Sequence, residues 1–208
     1  MRRLALRMSC FFAFLLLVAS VSAQSEFSAE IVNDNQNERG PTKVYFGKDK
    51  IRFDSQDNRS EGGAVILDLR NESYVVLMQK QHMYMEMPAQ MMENRGMFSF
   101  FKSGDVENAC PDWLKLARNK GGSCHKIGSE TVNGRSTVKY EGTNSEGESS
   151  TVWLDSKVRF PVKWVGKNGS GGLRNIQEGA QPASLFEVPT GYTKMDMGGM
   201  MQQMQPQH

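Results

Sequence analysis

Cysteine and histidine are scarce, at three residues each in a chain of 208. His82, His125 and His208 form no metalloprotease pair, and none stands beside an evident nucleophile. Gly169-Ser170-Gly171-Gly172 lacks the spacing of a nucleophile elbow. Gly166-Lys167-Asn168-Gly169 lacks the Lys and Ser/Thr that a phosphate loop places after its last glycine, so it reads as a hairpin loop. Carboxylates such as Asp54, Asp68, Glu86 and Glu130 are scattered along expected strands, where solvated faces account for them. The residues therefore imply no enzyme, no cofactor and no His/Cys metal centre.

Beyond the first 23 residues there is no long hydrophobic run either. Ala64 to Leu67 is stopped by Asp68 and Tyr74 to Met78 by Gln79, far short of the ~20 apolar residues a membrane helix needs. The start of the chain is different. Arg2, Arg3 and Arg7 precede an apolar stretch from Cys10 to Ala19 and the small-residue site Val21-Ser22-Ala23, the pattern of a secretory signal peptide over residues 1–23. Without that leader the chain holds 22 Lys+Arg against 23 Asp+Glu, a formal charge of −1 in place of +2. No basic run of five or more remains, which argues against nucleic-acid binding. The expected destination is the periplasm. Cys110 and Cys124, the two cysteines outside the leader, are expected to pair in that oxidising compartment, for ~3 kcal/mol by loop entropy; two free buried thiols are the alternative.

What is plentiful is period-two alternation in short runs broken by Gly, Asn, Asp and Pro. Expected strands are 27–33, 42–47, 50–54, 63–69, 72–79 and 82–87, then 125–133, 135–142, 149–154, 162–166 and 173–178. Asn133-Gly134 is the strongest turn signal, because both central residues of a type I′ turn need positive φ. The fold class is thus mainly β. About eleven antiparallel strands in one meander are expected to curl into a barrel or half-barrel whose inner face needs filling. Pro111, Trp113, Leu116, Ala117 and Gly121-Gly122 predict a two-turn amphipathic helix over 111–120, and the apolar segment from Met91 to Phe101 is compatible with a helix or a flap. Residues 24–197 read as one domain. Residues 198–208, all Met, Gln and Gly apart from Pro206 and His208, read as a disordered tail.

Methionine is unusually frequent. Twelve of 14 lie outside the leader, and seven of those fall between Met78 and Met97. Alternation puts Met83, Met85 and Met87 on one strand face, opposite His82, Tyr84 and Glu86. Such a stripe serves as gap-filling core, as the lining for a lipid or other apolar guest, or as soft-metal ligands. In the last reading, His82 or the tail's Met195, Met197, Met200, Met201, Met204 and His208 would hold Cu(I).

Several segments, in order, resemble the LolA-like fold family of exported bacterial proteins, which includes an outer-membrane lipoprotein-sorting carrier. They are Lys43-Val44-Tyr45-Phe46 with Lys50-Ile51-Arg52-Phe53, Ile66-Leu67-Asp68 leading to Tyr74-Val75-Val76-Leu77, and Met83-Tyr84-Met85-Glu86-Met87-Pro88. Ile127 to Gly134, Phe160-Pro161-Val162-Lys163 and Leu185 to Tyr192 continue the series. The resemblance implies a half-barrel with one or two short helices on its concave side and, in the carrier, an acyl chain there. Two features depart from the carrier: only Gln24-Ser25-Glu26 would precede Phe27, leaving no lid helix, and Lys48 or Arg52 stands for its third-strand arginine. The nearer resemblance is to the family's uncharacterised relatives. The expected site is therefore Val76, Met78, Met83, Met85 and Met87, with Trp113 and Leu116 as a plug, binding a lipid or other hydrophobic ligand. An envelope-protein interaction module with a permanently plugged cavity, and the Cu(I) protein, are the alternatives.

Overall fold

The structure, a computed structural model, describes residues 25–34, 42–55, 62–92, 96–167 and 169–195. The expected leader and the expected tail lie outside these residues. The first arm of the fold is a run of six strands: β1 (Phe27–Asn33), β2 (Thr42–Phe46), β3 (Lys50–Ser55), β4 (Gly63–Asp68), β5 (Ser73–Met78) and β6 (Met83–Pro88). Two short helices follow, α1 (Gly96–Ser103) and α2 (Cys110–Trp113). The second arm is β7 (Ser123–Val132), β8 (Arg135–Thr143), β9 (Ser149–Asp155), β10 (Pro161–Gly166) and β11 (Gly169–Glu178), and a two-residue β12 (Thr193–Lys194) closes the order.

All twelve strands belong to one sheet, ordered β12-β6-β5-β4-β3-β2-β1-β11-β10-β9-β8-β7. The sheet is open and antiparallel except where β12 runs parallel to β6. Its two arms are stitched by β1 against β11. Asn133 and Gly134 both have positive φ, 50° and 76°, as the expected β7–β8 hairpin requires.

Curvature follows from the aromatic core. In a flat sheet β2 and β10 would stand three strand spacings, about 14 Å, apart. Yet the ring of Phe160, just before β10, lies 6.0 Å from Phe46 of β2 and 5.5 Å from Phe27. Phe101 of α1 stacks on Phe160 at 5.0 Å, so α1 seals the concave side where the arms converge. On the convex side a second cluster forms, where Leu185, Phe186, Val188 and Tyr192 pack over Ala64, Ile66 and Leu77. Arg52 is there too: its guanidinium donates to Asp54 at 2.6 Å and to the Leu185 carbonyl at 2.8 Å, pinning the C-terminal segment to β3. It points away from the concavity.

The predicted helix over 111–120 is corrected to one α-turn, Cys110–Trp113, and a separate 3-10 turn, Ala117–Asn119, divided at Leu116 with an extended ψ of 136°. Ten residues of helix are marginal alone, and packing decides otherwise. Gly96 presses on this segment so closely that a Cβ there would sit 2.2 Å from the Lys115 carbonyl. The disulfide expected between Cys110 and Cys124 is present, tying the first residue of α2 to β7 with Cα atoms 5.5 Å apart.

Candidate functional site

Antiparallel register puts paired residues on the same face of a sheet. Across the first arm the concave face therefore resolves into three rows. The deepest runs Phe27, Phe46, Ile51, Leu67, Tyr74, Met87. It is buried under Phe98 and Phe101 of α1, and the Tyr74 hydroxyl donates to Met87 Sδ at 3.4 Å. The middle row runs Val44, Phe53, Val65, Val76, Met85, one residue from each of β2 to β6. Beyond Val44 every member is only half-buried. The outer row ends in the facing pair Met78 and Met83, also half-buried.

Five expected site residues thus share one hairpin face. Val76 and Met87 are both half-buried and pack against the core cluster, whereas Met78, Met83 and Met85 fall outside the three hydrophobic clusters of the described residues. There Met78 faces Met83 and Met85 faces Val76, all half-buried at the edge of the core, and an unbranched thioether side chain in that position re-packs at little cost. Trp113 is not with them. It packs on the other arm against Val138, Tyr140 and Val152, while Leu116 follows it, half-buried. Phe100 of α1 touches both clusters, joining the two regions.

Polar contacts fix the helices that roof the core. Ser99 of α1 donates to Asp112 of α2 at 3.0 Å, and Lys115 reaches the same carboxylate oxygen at 2.8 Å. Burial alone would raise the Asp112 pKa; hydrogen bonds from Lys115, Ser103 and Ser99 outweigh it and hold the carboxyl below its ordinary range. The Tyr140 hydroxyl donates to the Val106 carbonyl at 2.8 Å and accepts from the Ala109 N–H at 3.3 Å, anchoring the loop that leads into α2. The metal reading rests mainly on tail residues, and of those only Met195 is among the described residues.

One further cavity, missed in the sequence, opens on the second arm. It has a volume of about 520 Å³ between the 3-10 turn at Ala117–Asn119 and the strand ends of β9, β10 and β11, with Trp113 and Trp164 in its lining. Its residues come from five separated stretches, so no local pattern announces it.

The open curved sheet with two short helices on its concave side is the mainly β architecture expected from the sequence. Among solved structures, it is similar to an uncharacterized conserved protein from Thermus thermophilus, with a TM-score of 0.53 and 10% identity over 84% of this chain and 91% of that one. The likeness is one of fold. PNGF-II in its P21 crystal form matches with a TM-score of 0.50 and 9% identity over 86% of this chain, which spans only 32% of PNGF-II. The lipoprotein LppX of Mycobacterium tuberculosis aligns over 76% of this chain and 89% of its own at 15% identity, with a TM-score of 0.37. No family model matches the chain, and no curated protein matches it by sequence. Among the described residues no helix is long and apolar enough to cross a membrane.

Proposed function

We propose that this is an exported, periplasmic, non-enzymatic protein that binds a lipid or other hydrophobic ligand on the concave face of its first arm. The observation that carries the reading is the half-buried middle row Phe53, Val65, Val76, Met85, flanked by Met78 and Met83. It is an apolar band four strands wide beside a core that α1 has already filled. A protein that needed these residues only as core would bury them as it buries Phe46, Ile51 and Leu67. An acyl chain laid along the band would finish that burial. At ~0.8 kcal/mol per methylene, a chain of about sixteen carbons contributes ~12 kcal/mol gross, which leaves micromolar affinity after ~4 kcal/mol of association cost.

Displacement of a fluorescent fatty acid from the purified protein tests this. Saturable binding by the wild type and at least a tenfold loss in the double variant Val76→Ser, Met85→Ser is the expected result. Absence of binding, or binding that the double variant leaves intact, would remove the concave face as the site.

A further inference from the structure

The cavity on the second arm has a different chemistry from the Met-lined band. Its volume of about 520 Å³ is that of small-molecule sites, which run ~300–1,000 Å³. Its apolar part is two indoles and Val165. Register carries a row from Asn33 through Gly171 and Trp164 to Val152 and Tyr140, so Trp164 lies on the concave face with nothing bulky beside it on β11. A Cβ at Gly171 would sit 2.7 Å from the Trp164 ring and 2.9 Å from the Asn33 side-chain oxygen. Glycine at that position is what lets the indole lie down across the sheet. Trp113 is seated in the same way over β8, its Nε1 3.2 Å from where a Cβ of Gly142 would be. Both rings rest on the Tyr140 and Val152 cluster and both line the cavity while remaining half-buried.

Around these rings the wall is polar. Arg118 and Asn119 come from the 3-10 turn, and Ser150 from β9. Glu148 accepts from Lys167 at 2.5 Å and from the Asn144 carboxamide at 3.1 Å, so a carboxylate with both partners set stands at the rim.

We propose that this cavity is a saccharide-binding site, separate from the concave band. A pyranose ring has an apolar C–H face, which suits an aromatic platform, and an equatorial belt of hydroxyls, each both donor and acceptor. Carboxamide, hydroxyl, guanidinium and carboxylate groups satisfy such a belt without charge imbalance. A phosphate or nucleotide fits less well: Lys167 is already engaged by Glu148, and a phosphate entering here meets that carboxylate. A bare acyl chain would leave Arg118, Asn119 and Ser150 facing hydrocarbon without partners from the guest.

The test is titration of the full protein with N-acetylglucosamine, chitobiose, maltose and glucuronic acid, read by tryptophan fluorescence and calorimetry. Saturable binding of at least one saccharide is expected, weakened tenfold or more by Trp164→Leu and by Arg118→Ala. Arg118 is exposed, so its replacement does not threaten the fold, and thermal melts of both variants verify that they remain folded. Fatty-acid displacement is expected to be unchanged in Trp164→Leu, which separates this site from the proposed lipid site. The proposal is overturned if none of the saccharides binds at up to roughly 50 mM, well above a millimolar Kd. It is equally overturned if binding survives both substitutions, or if a nucleotide or fatty acid rather than a sugar occupies the cavity.

Discussion

Phe101 is one of the side chains by which α1 packs where the two arms meet, and Phe101→Ala is an informative perturbation of the fold. The ring is 8% exposed and stacks on Phe160 at 5.0 Å with an interplanar angle of 7°. Phe160 in turn meets Phe27 and Phe46 edge-on, so the truncation leaves a void against the central ring of the aromatic cluster, on its α1 side. Phe→Ala at core positions costs ~3–5 kcal/mol in lost transfer energy and residual cavity. The lower end, about 3 kcal/mol, applies here because the neighbouring Phe100 and Met97 flank the same cluster and can relax toward the void. For a domain of this size that corresponds to a melting-temperature fall of roughly 6–12 °C. Urea unfolding followed by tryptophan fluorescence and far-UV circular dichroism measures it. A loss below about 1 kcal/mol with an unchanged m-value would refute the claim that α1 is a structural plug over the deepest row.

Asp155 is 1% exposed and accepts from Arg135 at 2.5 and 3.2 Å and from the Lys157 and Val158 N–H groups at 2.8 Å. Asp155→Ala strands those donors, and denaturant unfolding is expected to show a loss of about 3 kcal/mol. Gly47 lies under the Phe186 ring, where a Cβ would come within 2.8 Å. Gly47→Ala should therefore displace the C-terminal segment from the convex face at a cost of roughly 1–3 kcal/mol, visible as faster hydrogen exchange at Leu185–Tyr192. The depressed pKa of Asp112 means that its contribution to stability is present above its ordinary 3.8 and is lost as pH falls through the folded-state value. Urea midpoints between about pH 5 and pH 2 should accordingly fall with acid, and Asp112→Asn should flatten that limb.

Much of the sheet is legible in the sequence because burial alternates along strands such as β2. In β2, Val44 and Phe46 are buried while Lys43 is exposed, and the same alternation predicts that Met83, Met85 and Met87 share a face. The hairpin at Asn133-Gly134 is equally plain, since its backbone conformation restricts the residues that fit. What alternation does not contain is register, and register is what divides the Met stripe into a packed residue, Met87, and loosely packed ones, Met83 and Met85. The helix expected at 111–120 is too long because local apolar spacing says nothing of the Gly96 backbone pressing on Lys115. The strand β12 leaves no trace in the pattern, as two residues show no period. Leu185 to Tyr192 contribute to the family resemblance, yet nothing in their order says that they cover the convex face. Similarly, Trp113 reads in sequence as part of the plug over the Met stripe. Only the chain path through the second arm brings it beside Trp164.

The central claim, that an apolar guest lies on the concave face of the first arm, is tested most directly by photo-crosslinking with a diazirine-bearing palmitic acid, followed by peptide mapping. Adducts are predicted to concentrate on the β5–β6 hairpin, at Val76, Met78, Met83 and Met85, and to be competed away by unlabelled palmitate. Adducts confined to convex-face residues such as Val75 and Tyr84, or labelling that unlabelled palmitate does not reduce, would contradict it.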